Sequence, residues 1–289
     1  MRVAVTGADG FTGRYVCDLL QARGIETVSL TADLADSDAV ENEVASAHFD
    51  RLIHLAAQAF VGTQQWRGFY MVNQLGSFNL LESVTRHHPG TRCILASSAQ
   101  VYGPQASGLI SEDASPAPNN PYAISKYAME LGAQNWADKL NILIVRPFNY
   151  TGVGQDSIYL IPKIVDHFRR KDTVIELGNL DVRRDFGDVR SVADAYCGLA
   201  VDTDVSATVN VCTGNVHGLR DVLAMASAIM GHEIEVRVNP AFVRKNDVAL
   251  LGGRPTQLQT LLPSWRPRPL SDTLRWMLET PDGSVQTMR

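Results

Sequence analysis

The chain opens with Val3-Ala4-Val5-Thr6-Gly7-Ala8-Asp9-Gly10-Phe11-Thr12-Gly13, an apolar run that leads directly into three glycines spaced three residues apart. In such a turn Gly7 permits a tight reversal, Gly10 lets backbone approach a pyrophosphate, and Gly13 lets the next helix pack close to the strand. The start of that helix offers free N–H groups and a positive dipole end to phosphate oxygens. The stretch therefore predicts a dinucleotide-binding turn between a first strand and a first helix.

Short apolar runs alternate with longer helical patterns through the first half of the chain. The apolar runs predict buried strands over 2–5, 27–30, 51–55, 93–96 and 142–145. The segments between or after them predict helices over 14–23, 36–47, 74–87 and 121–140. This alternation indicates an α/β fold with a doubly wound parallel sheet of the Rossmann type. Ligands of such sheets bind at the carboxyl ends of the strands, where we expect the functional residues.

The pattern loosens after residue 146 and becomes regular again near residue 185. We therefore predict two domains. A dinucleotide-binding domain covers 1–146, and 185–212 returns to it. A smaller C-terminal α/β substrate-binding domain is made of 147–184 and 213–289.

Composition narrows the classes of partner. The net charge of −5 argues against a nucleic-acid partner, which usually requires a basic face. The four cysteines form no CxxC pair, which favours buried free thiols over a disulfide frame or a metal site. No apolar run has the length needed to cross a bilayer, and the first residues do not have the pattern of a secretory leader. We expect a cytoplasmic protein that binds neither nucleic acid, membrane nor metal.

The end of the second predicted strand bears on the choice of dinucleotide. A sheet that binds NAD usually has an acid at this point to hold the ribose 2′-hydroxyl, whereas this chain has Thr31 and Ala32, followed by Asp33. Arg14, just after the glycine turn, is placed to meet the 2′-phosphate of NADP, or it is simply a solvated residue of the first helical turn. The expected cofactor is therefore NADP(H) or NAD(H).

A proton-transfer group is predicted in the helix over 121–140. Tyr122 and Lys126 are four residues apart and so share one face of that helix. A neighbouring ammonium favours a phenolate, so we expect Lys126 to lower the pKa of Tyr122 and let it exchange a proton with a substrate oxygen. Ser98 follows the strand over 93–96 and can hydrogen-bond the same oxygen.

Taken together, these segments resemble the extended short-chain dehydrogenase/reductases that act on nucleotide sugars. The matching stretches are TGADGFTG at 6–13, HLAAQA at 54–59, VNQLGSFNLLE at 72–82, SSAQVYG at 97–103, YAISK at 122–126 and RPFN at 146–149. They span most of the first 150 residues in the order found in that family. The combination is far more specific than any one motif.

The resemblance implies a role for each matching position. Ser98, Tyr122 and Lys126 would be the catalytic triad, with Tyr122 as the acid or base and Lys126 also holding the nicotinamide ribose. Together with Arg14, the expected cofactor contacts are Gly7, Gly10, Phe11, Thr12, Gly13, Asp33, Leu34, Ala56, Ala57, Gln58, Asn73, Tyr122 and Lys126. The family's dimers would use the helices over 74–87 and 121–140, so a homodimer is expected, or a tetramer built from it.

The positions after Ser98 bear on the reaction. The 4,6-dehydratases of the family resemble one another in having a Glu, often with an Asp, before the VYG segment, whereas this chain has Ala99 and Gln100. An amide is not a general acid, so a dehydratase is disfavoured unless another acid, such as Glu112 or Asp113, replaces it. Gln100 is instead expected to contact the substrate.

The stretch over 178–186 points to a GDP sugar. It resembles the GNL…RD(F/W) segment of GDP-mannose dehydratases and of the related 4-keto-6-deoxymannose reductases. A guanidinium fork matches phosphate oxygens, and Arg184 is expected on the substrate pyrophosphate. Asn149 resembles an asparagine that contacts substrate phosphate or sugar. Arg244 and Asp247 stand where the family often has an Arg-Pro-x-Asp/Glu nucleotide clamp, although here Lys245 replaces the proline.

These features predict an NAD(P)H-dependent reductase of the C4 ketone of a nucleotide-linked 4-keto-6-deoxyhexose. The expected product from GDP-4-keto-6-deoxy-D-mannose is GDP-D-rhamnose or GDP-6-deoxytalose, and a dTDP sugar is a further option. The alternative is a nucleotide-sugar 4-epimerase that retains NAD, because the same triad serves both reactions. Less favoured are a 4,6-dehydratase and a non-catalytic cofactor-sensing protein on the same fold.

Overall fold

The computed structural model describes residues 1–59, 66–104, 108–242 and 248–281. In chain order the strands are β1 (Arg2–Thr6), β2 (Glu26–Leu30), β3 (Arg51–His54), β4 (Arg92–Ala96), β5 (Leu109–Ile110), β6 (Asn141–Pro147), β7 (Asn149–Thr151), β8 (Val174–Leu177), β9 (Arg183–Asp188), β10 (Thr208–Val211), β11 (Val216–Gly218), β12 (Glu235–Val238) and β13 (Leu250–Gly253). The helices are α1 (Phe11–Ala22), α2 (Ser37–Ser46), α3 (Trp66–Gly68), α4 (Ser77–His87), α5 (Pro121–Ala133), α6 (Leu160–Arg169), α7 (Val189–Val201), α8 (Leu219–Met230), α9 (Thr256–Leu261) and α10 (Leu270–Glu279).

A six-stranded parallel sheet in the order β2-β1-β3-β4-β6-β10 carries the cofactor-side motifs. The strand order changes direction next to β1, which places a crevice above the carboxyl end of that strand. Both faces are covered, since α1 and α7 pack on one apolar core and α2, α4 and α5 pack on the other. The α/β class with a Rossmann-type parallel sheet is therefore confirmed.

The start of α5 is determined by local sequence. The side chain of Asn120 accepts a hydrogen bond from the Ala123 N–H at 2.9 Å, and Pro121 follows at the first helical position, where its missing N–H costs nothing. Tyr122 is thereby placed in the first turn. The helix ends at Ala133 rather than at the predicted residue 140, because a 3₁₀ turn over Gln134–Trp136 bends the chain towards β6.

The predicted helix over 74–87 also differs in its beginning. α3 runs into a π-helical segment, Phe69–Gly76, and regular α-helix starts only at Ser77. The π-helical segment packs against α5. It carries the buried Asn73 to the loop that follows β3.

The second part of the structure is built around a different apolar core. In a smaller sheet β9 pairs with β7, β11 and β13, β13 also pairs with β5, and β8 and β12 form a two-stranded sheet. α6, α8 and α10 contribute the apolar side chains of this core. The chain passes from β9 to α7 and β10 and so rejoins the central sheet, where Thr208 pairs with Ile144.

The four cysteines are free, as predicted, and Cys93, Cys197 and Cys212 are buried. No helix in the described part of the chain combines the length and apolarity that a membrane span requires.

Candidate active site

A cavity of about 630 Å³ opens at the carboxyl ends of the central strands. It is lined by both sets of predicted residues, those of the glycine turn and those of the triad. The predicted residues on its wall are Gly7, Gly10, Phe11, Thr12, Gly13, Arg14, Ala57, Ser98, Gln100, Tyr122, Lys126 and Asn149. Segments more than a hundred residues apart in the sequence thus meet at one edge of the sheet.

The glycine turn has the geometry that a phosphate cradle requires. Gly7 adopts φ +68°, and the N–H of Gly10 donates to the carbonyl of Gly7 at 3.0 Å. A Cβ on Gly13 would lie 2.0 Å from that carbonyl oxygen, and a Cβ on Gly7 would lie 2.9 Å from the backbone of Ala56. A side chain at either position would push α1 or β3 away from β1, so the cradle depends on glycine there.

Tyr122 is buried at the cavity wall, where Phe69 packs edge-to-face on its ring at 5.8 Å. Burial raises the pKa of Tyr122, and a hydrogen bond with Ser98 acts in the opposite direction. The expected lowering of this pKa by Lys126 is not seen, since burial of the phenol is the largest influence and the Lys126 ammonium bonds the carbonyl of Ala96 instead. The phenol stays protonated near neutral pH.

Lys126 is buried one turn further along α5, and its Nζ donates to the carbonyl of Ala96 at 2.7 Å. Burial lowers the pKa of Lys126 to about 8, and the carboxylate of Glu130 opposes that shift. His54 lies close enough to be affected in turn: burial and then the charge of Lys126 lower its pKa to about 3. His54 is therefore neutral, and it bridges the hydroxyls of Thr6 and Ser77 at 2.6 and 2.8 Å.

Several predicted cofactor residues lie outside the cavity wall. Leu34 is buried in the core against α4, and the Asp33 carboxylate accepts the N–H of Ala35 at 3.0 Å. Asn73 bonds both the N–H and the carbonyl of Gln58, at 2.8 and 3.0 Å, so it orders the loop after β3. Ala56 supports the turn by its contact with Gly7.

An acid from the next helix lies at the end of β2, and it was not predicted from the sequence. Glu43, which belongs to α2, accepts hydrogen bonds from the N–H groups of Thr31 and Ala32 at 2.8 and 2.9 Å. A carboxylate from the next helix therefore lies at the end of β2, bonded to its backbone, and Glu43 is not among the residues of the described cavity wall. No sequence signal at positions 31–34 would have revealed it.

Some of the predicted substrate residues line the cavity and others do not. Asn149 and Gln100 line the cavity. Arg184 lies on β9 outside the cavity wall, and its Nη1 donates to the carbonyls of Arg183 and Ala249 at 2.9 and 3.4 Å. Arg244 and Asp247 lie outside the described residues.

The segment after β6 supplies cavity residues that the sequence analysis did not single out, because its motifs end at Asn149. Tyr150 is the clearest: its hydroxyl bonds that of Thr12 at 2.8 Å, and its ring stacks on Phe11 at 6.1 Å between centroids. Further wall residues of this segment are Gln155, Asp156 and Tyr159, and Tyr196 of α7 also lines the wall. Asp156 is the carboxylate among the described wall residues.

Comparisons with known proteins identify the family of the chain. The model of the NAD dependent epimerase/dehydratase family matches residues 3–212. GDP-6-deoxy-D-talose 4-dehydrogenase of Aggregatibacter actinomycetemcomitans is 36% identical over 268 residues, which are 91% of this chain and 91% of that protein. GDP-6-deoxy-D-mannose reductase of Pseudomonas aeruginosa is 30% identical over 302 residues, covering 99% of this chain and 98% of that protein.

A solved structure leads to the same family. RMD from Pseudomonas aeruginosa, complexed with NADPH, superposes with a TM-score of 0.86 at 29% identity, covering 96% of each chain. A family match over most of the chain, with the glycine turn and the Ser98, Tyr122 and Lys126 side chains on one cavity, leads to a single conclusion. The chain belongs to the NAD dependent epimerase/dehydratase family of extended short-chain dehydrogenase/reductases.

Proposed function

We propose that this protein reduces the C4 ketone of GDP-4-keto-6-deoxy-D-mannose with NADPH or NADH. The observation that carries the proposal is the meeting of the glycine turn with the hydroxyls of Ser98 and Tyr122 on one cavity. The substrate class follows from the two relatives, whose names specify 6-deoxyhexoses linked to GDP. 6-Deoxytalose and 6-deoxymannose differ only at C4, so a shared 4-keto sugar connects them.

The chain's own residues supply the proton and hold the reacting groups. When bound, the dinucleotide supplies a hydride to the sugar carbon. Tyr122 donates its phenolic proton to the oxygen that forms at C4, and Ser98 aligns that oxygen. A phenol whose pKa is raised by burial suits a proton donor, since it remains protonated until the oxygen develops charge. Lys126 lies beside it to hold the ribose.

A dehydratase is less well supported by the cavity. Gln100 occupies the wall position next to Ser98 where the dehydratases have an acid. Of the two acids considered as replacements, Glu112 accepts the N–H of Asn210 at 2.8 Å, and neither Glu112 nor Asp113 lines the described cavity wall. Asp156 lines the wall but accepts the N–H of Ile158 at 2.9 Å.

The function is tested by incubating the protein with GDP-4-keto-6-deoxy-D-mannose and each reduced cofactor in turn. We expect loss of the reduced-cofactor absorbance together with formation of GDP-D-rhamnose or GDP-6-deoxytalose. An epimerase would behave differently, because it copurifies with NAD, consumes no cofactor and interconverts unmodified hexose nucleotides. Comparing the two cofactors also shows whether the protein prefers NADPH or NADH.

Substrate contacts are proposed for three residues. Asn149 and Gln100 line the cavity, and their amides can both donate and accept hydrogen bonds. Arg184 is proposed for the pyrophosphate. Reaching it would require the guanidinium to exchange the carbonyl of Ala249 for phosphate oxygens, which are the stronger partners of a guanidinium.

We propose that the chain is divided into the two predicted domains, with the nucleotide sugar bound between them.

Tyr150→Phe is expected to weaken binding of the reduced dinucleotide about fivefold. The change removes the hydroxyl that holds Thr12 in the glycine turn, and a hydrogen bond of this kind contributes about 1 kcal/mol. Isothermal titration with NADPH or NADH measures the effect. Tyr15→Phe is the matched control, because the Tyr15 hydroxyl binds the carbonyl of Val153 at 2.7 Å outside the described cavity wall. Equal losses in both variants would contradict a specific role for Tyr150.

A homodimer is proposed through the paired π-helical segment and α5. These two elements expose the apolar side chains Met71, Leu75, Ile124 and Leu131. We expect Leu131→Glu, at a side chain 57% exposed, to convert the dimer to a monomer in size-exclusion chromatography with light scattering. Val205→Glu, 48% exposed on another surface, is the control and should leave the dimer intact. A wild-type monomer, or a Leu131→Glu variant of unchanged mass, would contradict the proposed interface.

A further inference from the structure

Three polar side chains lie one turn apart on one face of α5. They face the end of β4 and the residues that follow it. Tyr122 and Lys126 are the first two, and Glu130 is the third, at the same spacing. Each of them meets a different residue of one three-residue stretch. Lys126 donates to the carbonyl of Ala96, Glu130 accepts from the hydroxyl of Ser97, and the Ser98 hydroxyl is near enough to Tyr122 to oppose the rise in its pKa.

Glu130 bonds Arg146 as well as Ser97. Its carboxylate forms a two-point ion pair with Arg146, with Nη2–Oε2 at 2.5 Å and Nε–Oε1 at 2.9 Å. Both side chains are almost fully buried, at 6% and 7% exposure. The guanidinium of Arg146 also stacks over the ring of Tyr102 at 4.8 Å. Since β6 is the strand beside β4, this pair joins α5 to the sheet directly behind the catalytic residues.

The charges around Lys126 come from several elements. His54 on β3 is neutral, as its low pKa shows, and Tyr122 on α5 is a neutral phenol. Arg146 on β6 is a cation, paired with Glu130. The carboxylate of Glu130 is thus the anion that opposes the desolvation of the Lys126 ammonium.

We propose that Glu130 is a positioning residue that fixes the strand end bearing Ser98 and supplies the negative charge beside Lys126. The inference rests on the proposed function only in that Lys126 faces the cofactor. Two roles are combined in one carboxylate: its geometry aligns the serine, and its charge keeps the lysine cationic near neutral pH. The two roles can be separated by substitution.

The test is an NMR titration of lysine side chains labelled at Cε, which needs no turnover. The chain has five lysines, so the Lys126 signal can be assigned by its loss in Lys126→Met. In the wild-type protein we expect Lys126 to titrate near pH 8. In Glu130→Gln we expect the midpoint to fall by about one pH unit, because the nearby anion is gone. The alkaline limb of kcat/KM should move to lower pH by the same amount.

Glu130→Asp separates charge from geometry. The shorter carboxylate keeps the charge, so the Lys126 midpoint should stay near the wild-type value while kcat falls through misalignment of Ser98. Removing one partner of a buried ion pair often prevents folding, so Glu130→Gln/Arg146→Met serves as a second neutral variant. In it the midpoint of Lys126 should fall by less than in Glu130→Gln, because the Arg146 cation is removed together with the Glu130 carboxylate.

An unchanged Lys126 midpoint in either neutral variant would overturn the proposal, whatever the stability of the variant. The result is independent of the proposed reaction. If the keto sugar is not turned over but the midpoint shifts, the proposed function fails and this inference stands. If turnover is observed and the midpoint does not shift, the proposed function stands and this inference fails.

Discussion

Replacing Tyr122 by phenylalanine is expected to lower kcat/KM for the keto sugar by about 10²- to 10⁴-fold, the usual contribution of a positioned general acid. The substitution removes one oxygen atom and keeps the ring that packs on Phe69. The dissociation constant of the reduced dinucleotide should stay within about twofold, because the cradle of Gly7 and Gly13 is untouched. Steady-state kinetics and a binding titration on the same preparation measure both quantities.

The matched control is Tyr127→Phe on the same helix. Tyr127 is partly buried against another apolar cluster and is not among the residues of the described cavity wall. Its variant should retain the wild-type rate. A Tyr122→Phe enzyme that keeps more than about a tenth of the wild-type kcat/KM would show that another group donates the proton.

Gly13→Ala is expected to remove dinucleotide binding and to lower the free energy of unfolding by about 3 kcal/mol or more. A Cβ at this position would lie 2.0 Å from the carbonyl oxygen of Gly7 and 2.7 Å from that of Ala8. Backbone atoms cannot move aside as a flexible side chain can, so α1 must separate from β1. Chemical denaturation and NADPH titration report the two effects.

Gly24→Ala, just beyond the end of α1, provides the comparison. Gly24 has φ +72°, and no atom lies within 4 Å of an added Cβ, so the change costs only the strain of a left-handed residue, about 1 kcal/mol. Binding of the dinucleotide should be unchanged. If Gly13→Ala and Gly24→Ala had equal effects, close packing of the turn would not be the reason for the glycine.

The central sheet could be predicted because its strands follow an apolar pattern. Strands buried on both faces read as continuous apolar runs, so the positions of β1, β4 and β6 were evident. β9 was not, because it contains Arg183, Arg184 and Asp185. The buried Asp185 is satisfied by the N–H and hydroxyl of Thr213 and by the N–H of Gly214, a set of partners that no local pattern reveals.

The candidate site likewise contains residues that could be predicted from the sequence and residues that could not. The proposed roles of Gly13 and Tyr122 could be predicted because they follow from local geometry, a tight turn and one face of a helix. Leu34 was assigned to the cofactor, but its apolar side chain is buried in the core. Glu43 and Tyr150 form hydrogen bonds with residues that are distant from them in the sequence, so only the folded structure reveals these contacts.

The most direct test of the proposed hydride transfer uses reduced cofactor in which both hydrogens at C4 of the nicotinamide are deuterium. GDP-4-keto-6-deoxy-D-mannose is incubated with the protein and this cofactor, and the product sugar is analysed by mass spectrometry and NMR. We predict one deuterium at C4 of the 6-deoxyhexose for each cofactor oxidised. Epimerisation of an unmodified hexose nucleotide without isotope uptake or cofactor oxidation would contradict the assignment as a reductase.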